Sequence, residues 1–298
     1  MECIANPWNS PNNINEYLSE TVSENIIDLR DKVFEKCGLP SCGLVLIMDE
    51  ENEAHYQGSF WEGKLGFYFN AKELKTRGEE LGWIAPNKLI FKLVESECYE
   101  HVIWLSQKAY MRDKVEFVWT LIHEIRHMQQ SIINHSLLLA GCFLYYTMSK
   151  IESVDIKLPI TIPTELDAER EAWCISRQVF ENETIVEQFV ENNCKFGTKV
   201  DEFNILYSKF INSTDFYYDV CGQMITFLKK HKSSIEKLQN NPKIFDYLKK
   251  DKFDVDTILK SLSRESSSKT TEKPPNKAVH LTPRTLAALT RQGCRRRK

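Results

Sequence analysis

Residues 118–128 have the sequence VWTLIHEIRHM, and apolar side chains continue on both sides of this stretch. From Asp113 to Ile133 the apolar residues recur every three or four positions, which is the spacing of one face of an α-helix. A helix with this much apolar surface has to bury it in a protein core. The sequence therefore predicts a long, buried helix over 113–133.

Three polar residues stand in this apolar helix in the pattern H-E-x-x-H: His123, Glu124 and His127. A spacing of four residues places both imidazoles on one face, about one turn apart, where they can bind one zinc ion. Glu124 can take a proton from a water that the metal activates for attack on a carbonyl. A solvent-exposed helix face could carry the same letters, but the apolar neighbours of both histidines favour a metal site.

A catalytic zinc needs a third protein ligand and an open fourth position. The pattern H-E-x-x-H-x-x-G-x-x-H would need glycine at 130 and histidine at 133, but these residues are Gln130 and Ile133. His135 is out of register with that pattern. The third ligand must therefore come from another part of the chain.

The downstream segment PTELDAEREAW (163–173) offers carboxylates at helical spacing. Four of its residues share one stripe of a helix: Glu165, Ala168, Glu169 and Ala172. The two small alanines allow close approach to the metal-binding helix, and the two carboxylates face it. Asp167 and Glu171 lie on other sides of the same helix and remain alternative ligands.

These two motifs resemble those of the gluzincins, zinc metallopeptidases whose third ligand is a glutamate on a helix after the H-E-x-x-H helix. Residues 165–172 look like their E-x-x-A-[DE]-x-x-A segment, and the chain is most similar to the compact intracellular, ImmA/IrrE-like members. The resemblance covers residues 43–180. It implies the following roles: His123, His127 and Glu165 as ligands of Zn²⁺, Glu124 as the catalytic residue, and Glu169 as the acid that orients a zinc-binding histidine.

The expected fold class is α+β. An amphipathic helix is predicted over 20–37, and further helices over 135–146 and after Pro163. Four short runs bounded by turn residues predict strands: 44–48, 65–69, 89–94 and 101–106. We expect a small, mostly antiparallel sheet packed on the H-E-x-x-H helix and the glutamate-ligand helix, followed by an all-helical C-terminal part.

The chain divides into four predicted parts: an N-terminal arm (1–19), a zincin-like metallopeptidase domain (20–182), a helical C-terminal region (183–262) and a disordered basic tail (263–298). The tail holds ten Lys and Arg against two acids, whereas the whole chain has a net charge of −3. A basic tail can contact nucleic acid or an anionic membrane weakly. Because no aromatic residues are interleaved with its charges, a solvated extension is favoured.

Composition sets the expected class and compartment. Hydrophobic residues make up 42% of the 298, enough for a sizeable core, and the most apolar run, 137–146, is shorter than the roughly 18 residues of a membrane span. The N-terminus lacks the basic start and apolar stretch of a signal peptide, and the nine cysteines include no C-x-x-C pair. We expect a cytoplasmic protein with no membrane partner.

Two further predictions concern the substrate. The run 101–106 directly precedes the long helix and is either an edge strand that binds an extended peptide, as the gluzincin resemblance implies, or a buried core strand. The donor to a developing oxyanion is left open among four residues: Tyr145, Tyr146, His101 and Tyr110.

The expected function is hydrolysis of peptide bonds in a peptide or protein substrate by an intracellular zinc metallopeptidase. The alternative is a zinc-stabilised regulatory or partner-binding protein of a mobile-element or toxin–antitoxin type, without peptidase activity. Glu124 favours the enzyme, because a structural zinc site needs no base and usually fills its fourth position with protein.

Overall fold

A computed structural model of the chain describes residues 14–37, 43–50, 53–57, 62–70, 100–150, 162–192, 216–239 and 254–268. These residues form four strands: Ile14–Leu18 (β1), Leu44–Met48 (β2), Gly66–Asn70 (β3) and His101–Leu105 (β4). They also form eight α-helices and a short 3-10 helix at Glu53–Tyr56. The helices are Glu24–Cys37 (α1), Gln107–Met111 (α2), Lys114–Ile133 (α3), His135–Lys150 (α4), Pro163–Phe180 (α5), Glu183–Asn192 (α6), Phe216–Gln239 (α7) and Val255–Ser268 (α8).

The strands form one mixed sheet in the order β1-β2-β4-β3. β1 pairs parallel with β2, and β2 pairs parallel with β4, while β3 runs antiparallel to β4. The α+β class is confirmed, but for the described strands the prediction of a mostly antiparallel sheet is wrong. Parallel neighbours need a crossover connection, and α1 supplies one between β1 and β2. The predicted strand 89–94 lies outside the described residues.

β1 lies within the segment that the composition assigned to an N-terminal arm. Its Glu16 forms an ion pair with Arg30 of α1, with 2.5 Å between Oε2 and NH1, and both side chains are buried. Burial raises the pKa of the Glu16 carboxyl, and the Arg30 guanidinium partly opposes this shift. The ion pair therefore ties β1 to the crossover helix that follows it.

A buried polar cluster lies at the carboxyl ends of β2 and β4. The Asp49 carboxylate accepts hydrogen bonds from the hydroxyl of Tyr56 and from Nε1 of Trp104, the latter at 2.8 Å. Tyr110 of α2 donates its hydroxyl proton to the Asp49 backbone oxygen at 2.5 Å. These bonds join the end of the sheet to the short helix that leads into α3.

The described residues form two compact units of non-contiguous segments. One holds the described residues up to 128 and residues 171–189, and the other holds 129–150, 162–170 and the described residues from 190 to 268. The division passes through α3 and α5, so each of these helices has residues in both units. The predicted linear division into domains stays a prediction.

The second unit has an apolar core of its own, built from α4, α7, α8 and Ile162. Helix α8 extends to Ser268, so residues 263–268, which composition assigned to the disordered tail, are helical. The remainder of the predicted tail, 269–298, lies outside the described residues. In the part of the chain that the structure describes, no helix combines the length and apolarity needed to cross a bilayer.

Gly141 of α4 marks a close approach between α4 and the start of α5. A Cβ at this position would lie 2.2 Å from Oγ1, 3.0 Å from Cβ and 3.1 Å from Cγ2 of Thr164. Rotating the threonine side chain cannot clear all three atoms, so any added side chain would push the helices apart. Residue 141 must therefore be a glycine, because Thr164 leaves no room for a Cβ.

We expect Gly141→Ala to lower the free energy of unfolding by about 1–3 kcal/mol, because it overpacks this contact. The matched control is Gly222→Ala in α7, where a Cβ would meet nothing within 4 Å. That change should raise the free energy of unfolding by up to about 1 kcal/mol, since alanine is the better helix former. Urea denaturation of both variants measures the difference, and equal stabilities would contradict the close approach.

Candidate metal centre

Helix α3 is buried almost throughout, as the sequence predicts. Every side chain from Val115 to Ser131 is buried except His123, which is half-buried. The exposed fractions of Glu124 and His127 are 7% and 8%. The interpretation of H-E-x-x-H as a solvated helix face is therefore wrong, and these polar side chains need polar partners within the protein.

The two histidines of the motif converge. Nε2 of His127 lies 3.0 Å from Nε2 of His123, and the ring centroids are 4.7 Å apart with nearly perpendicular planes. A hydrogen bond between these atoms needs a proton on one of them, whereas a metal takes the lone pair of both. The spacing of four residues thus brings the two potential ligand atoms close enough together to bind one metal ion.

Glu165 joins this pair from the first turn of α5. His123, His127 and Glu165 each offer one ligand atom, and the three atoms all lie within 4.8 Å of one another. Among the described residues, no other group of His, Cys, Asp or Glu meets this condition. The structure thus brings together the three residues that the sequence analysis proposed as ligands.

The donor set fits a zinc ion. Zinc binds imidazole nitrogen and carboxylate oxygen at about 2.0–2.2 Å in tetrahedral geometry, which places two ligand atoms about 3.4 Å apart. The two imidazole nitrogens are already at 3.0 Å, and small side-chain rotations would bring a third atom from within 4.8 Å to that distance. Two histidines and one glutamate are also a known ligand set of catalytic zinc sites.

The two alternative ligands on α5, Asp167 and Glu171, lie outside this group of ligand atoms. Both carboxylate oxygens of Asp167 accept hydrogen bonds, Oδ2 from Gln130 at 2.7 Å and Oδ1 from Arg170 at 3.1 Å. Glu171 lies near the Cys37 thiol: burial raises the pKa of that thiol well above its usual range, and the Glu171 charge adds to the rise. Neither belongs to the metal group.

Glu169 is buried, with 7% of its surface exposed, one turn after Glu165 on the same helix. This position agrees with the side of α5 on which it was expected. Its proposed role of orienting a zinc-binding histidine stays a prediction.

Gly66 of β3 lies against α3 beside the motif. A Cβ at Gly66 would come within 2.7 Å of Cγ2 of Thr120 and 3.0 Å of Cγ of Glu124. The strand approaches the helix this closely only because residue 66 has no side chain. Sequence reasoning missed this contact, since a single glycine at the start of a short strand gives no signal of what lies across from it.

The four candidate donors to an oxyanion have different surroundings. Tyr110 is buried at the Asp49 cluster, and Nδ1 of His101 lies 2.9 Å from the hydroxyl of Tyr68 in the sheet. Tyr145 is 37% exposed, and the side chain of Tyr146 is not among those that the structure describes. Tyr110 and His101 thus already have hydrogen-bonding partners within the sheet and its connections.

No family model matches the chain, and no match is found among curated proteins or among solved structures. The resemblance to the gluzincins therefore depends on residues 123–127 and 165–172 of this sequence alone. It remains a prediction, and the grouping of His123, His127 and Glu165 indicates only that a metal ion could bind there.

We expect Glu165→Gln to weaken zinc binding at least about tenfold, because a neutral amide replaces the anionic ligand. Glu171→Gln is the matched control: it makes the same change on the same helix, outside the metal group, and should leave zinc content near the wild-type value. Elemental analysis after dialysis against a zinc buffer measures both. A Glu165→Gln protein that holds as much zinc as the Glu171→Gln control would contradict the assignment of Glu165 as a ligand.

Proposed function

We propose that the chain is a zinc-dependent metallopeptidase that hydrolyses peptide bonds. The observation that carries this proposal is the group of His123, His127 and Glu165, whose ligand atoms lie within 4.8 Å of one another beside the buried Glu124. A catalytic zinc site typically has three protein ligands and, beside them, a carboxylate that does not bind the metal, which here is Glu124.

In this proposal the chain's own residues have separate roles. Nε2 of His123, Nε2 of His127 and the Glu165 carboxylate would hold the metal, which when bound would supply Lewis acidity to a water and to the substrate carbonyl. The Glu124 carboxylate takes a proton from the attacking water and then donates it to the departing amine nitrogen. Its burial keeps competing bulk water away from the proton that it carries.

The sheet supports a peptide as the substrate. β4 pairs with β2 on one side and β3 on the other, so the run 101–106 is a core strand and the edge-strand alternative for it is wrong. Of the described strands, β1 and β3 lie at the edges of the sheet, and Gly66 of β3 packs against Glu124 of α3. An extended peptide that adds to β3 as a further strand would place its backbone carbonyls close to this carboxylate.

The decisive variant is Glu124→Gln. Because it removes the proton carrier and leaves all three ligands, it should keep about one zinc per chain and reduce hydrolysis by about 10²–10⁴-fold. His123→Ala should lose both zinc and hydrolysis. Glu116→Gln, at another buried glutamate of α3, is the control and should keep both.

The readouts are elemental analysis and cleavage of a quenched-fluorescence peptide library. Hydrolysis by Glu124→Gln at the wild-type rate would overturn the mechanism. A zinc-loaded wild-type protein that cleaves no peptide would instead support the alternative of a zinc-stabilised partner-binding protein.

Gly66→Ala tests the position of the proton carrier. The new Cβ would force Thr120 and Glu124 to shift by a few tenths of an ångström or more, and a misplacement of about 1 Å can cost up to about 10²-fold in rate. We therefore expect kcat to fall roughly tenfold to a hundredfold while zinc content stays unchanged. Gly222→Ala serves as the control, and an unchanged kcat for Gly66→Ala would show that this contact does not set the position of Glu124.

A further inference from the structure

Gln130 of α3 connects that helix to the first turn of α5. Its Nε2 lies 2.9 Å from the backbone oxygen of Thr164 and 2.7 Å from Oδ2 of Asp167. The exposed fractions of Gln130 and Asp167 are 2% and 3%. Two short hydrogen bonds inside the protein thus converge on one amide nitrogen.

The chemistry of the partners determines how this amide is oriented. A backbone carbonyl and a carboxylate only accept hydrogen bonds, so the group that faces them must be the NH₂ end, which has two protons. Each proton has one acceptor. The second carboxylate oxygen of Asp167 accepts from Arg170 at 3.1 Å, which holds the carboxylate in place from the other side.

The two acceptors stand on either side of the third ligand in the sequence. Thr164 precedes Glu165 directly, and Asp167 follows it by two residues, so Gln130 holds the turn of α5 that carries this carboxylate. Gln130 itself follows His127 by three residues on α3. Both hydrogen bonds therefore link the turn that carries Glu165 to the helix that carries the two histidines.

We propose that Gln130 is a positioning residue of the metal centre, which fixes the distance between the Glu165 carboxylate and the imidazoles without binding the metal itself. This inference rests on the proposed zinc site. Groups that orient metal ligands in this way typically contribute about 10–100-fold to metal affinity. A glycine at 130, as in the H-E-x-x-H-x-x-G-x-x-H pattern, could not make this connection.

The test is the zinc affinity of the full-length protein, measured by competition with a chromogenic chelator. Gln130→Glu keeps the shape of the side chain but replaces the donor with an oxygen that faces two acceptors, so we expect zinc to bind at least about tenfold more weakly. Gln130→Met removes the donors without adding a charge and should weaken zinc binding in the same direction. It keeps the test open if Gln130→Glu does not fold.

Two controls separate positioning from a general loss of packing. Gln129→Met changes the neighbouring glutamine, which is also buried, and should leave zinc affinity within about threefold of wild type. Asp167→Asn, added to Gln130→Glu, supplies a donor from the opposite side and should recover part of the lost affinity. Thermal unfolding of the metal-free proteins shows whether stability follows the same order.

The outcomes distinguish the two proposals. A wild-type protein that binds no zinc overturns the proposed function, and this inference with it. Wild-type zinc binding together with unchanged affinity in Gln130→Met overturns this inference alone. Equal weakening in Gln129→Met and Gln130→Met, or no recovery in the double variant, also overturns it, because the effect would then be general.

Discussion

The structure depends on the burial of α3, a helix that is enclosed along most of its length and yet carries two imidazoles and a carboxylate. Polar groups in such a position destabilise the fold by several kcal/mol unless other polar groups meet them. Here the Nε2 atoms of the two histidines lie 3.0 Å apart, and a ligand atom of Glu165 lies within 4.8 Å of the histidine ligand atoms. The grouping that could hold a metal ion thus also gives the buried imidazoles polar neighbours.

The elements with a strong local pattern could be predicted from the sequence. Helix α3 and strands β2 and β4 lie within a residue of their expected bounds, because each is a run of apolar residues at one clear period. Whether neighbouring strands pair parallel or antiparallel could not be predicted, since this depends on whether the segment between them is a crossover connection or a tight turn. β1 was missed for a related reason: its Glu16 suggests exposure, and only Arg30, on the crossover helix, makes its burial acceptable.

The candidate site divides in the same way. The spacing of His123 and His127 is local to one helix, so the sequence indicates their convergence directly. Glu165 could be proposed from the stripe of small and acidic residues on its own helix. The roles of Gln130 and Gly66 could not be predicted. Each depends on a contact with a second element, α5 for Gln130 and α3 for Gly66, and the residue type alone does not indicate which element that is.

The separation of these contacts along the chain has a consequence for the order of assembly. Forming a single helix brings His123 to His127, an event of about a microsecond or less that requires no distant contact. Gln130 and its acceptors, in contrast, are 34 and 37 residues apart, so the intervening loop must close first, at an entropic cost. A nascent chain can therefore bring His123 and His127 together before Glu165 is in place. A metal ion bound by these two residues at that stage would favour the loop closure that brings Glu165 to them.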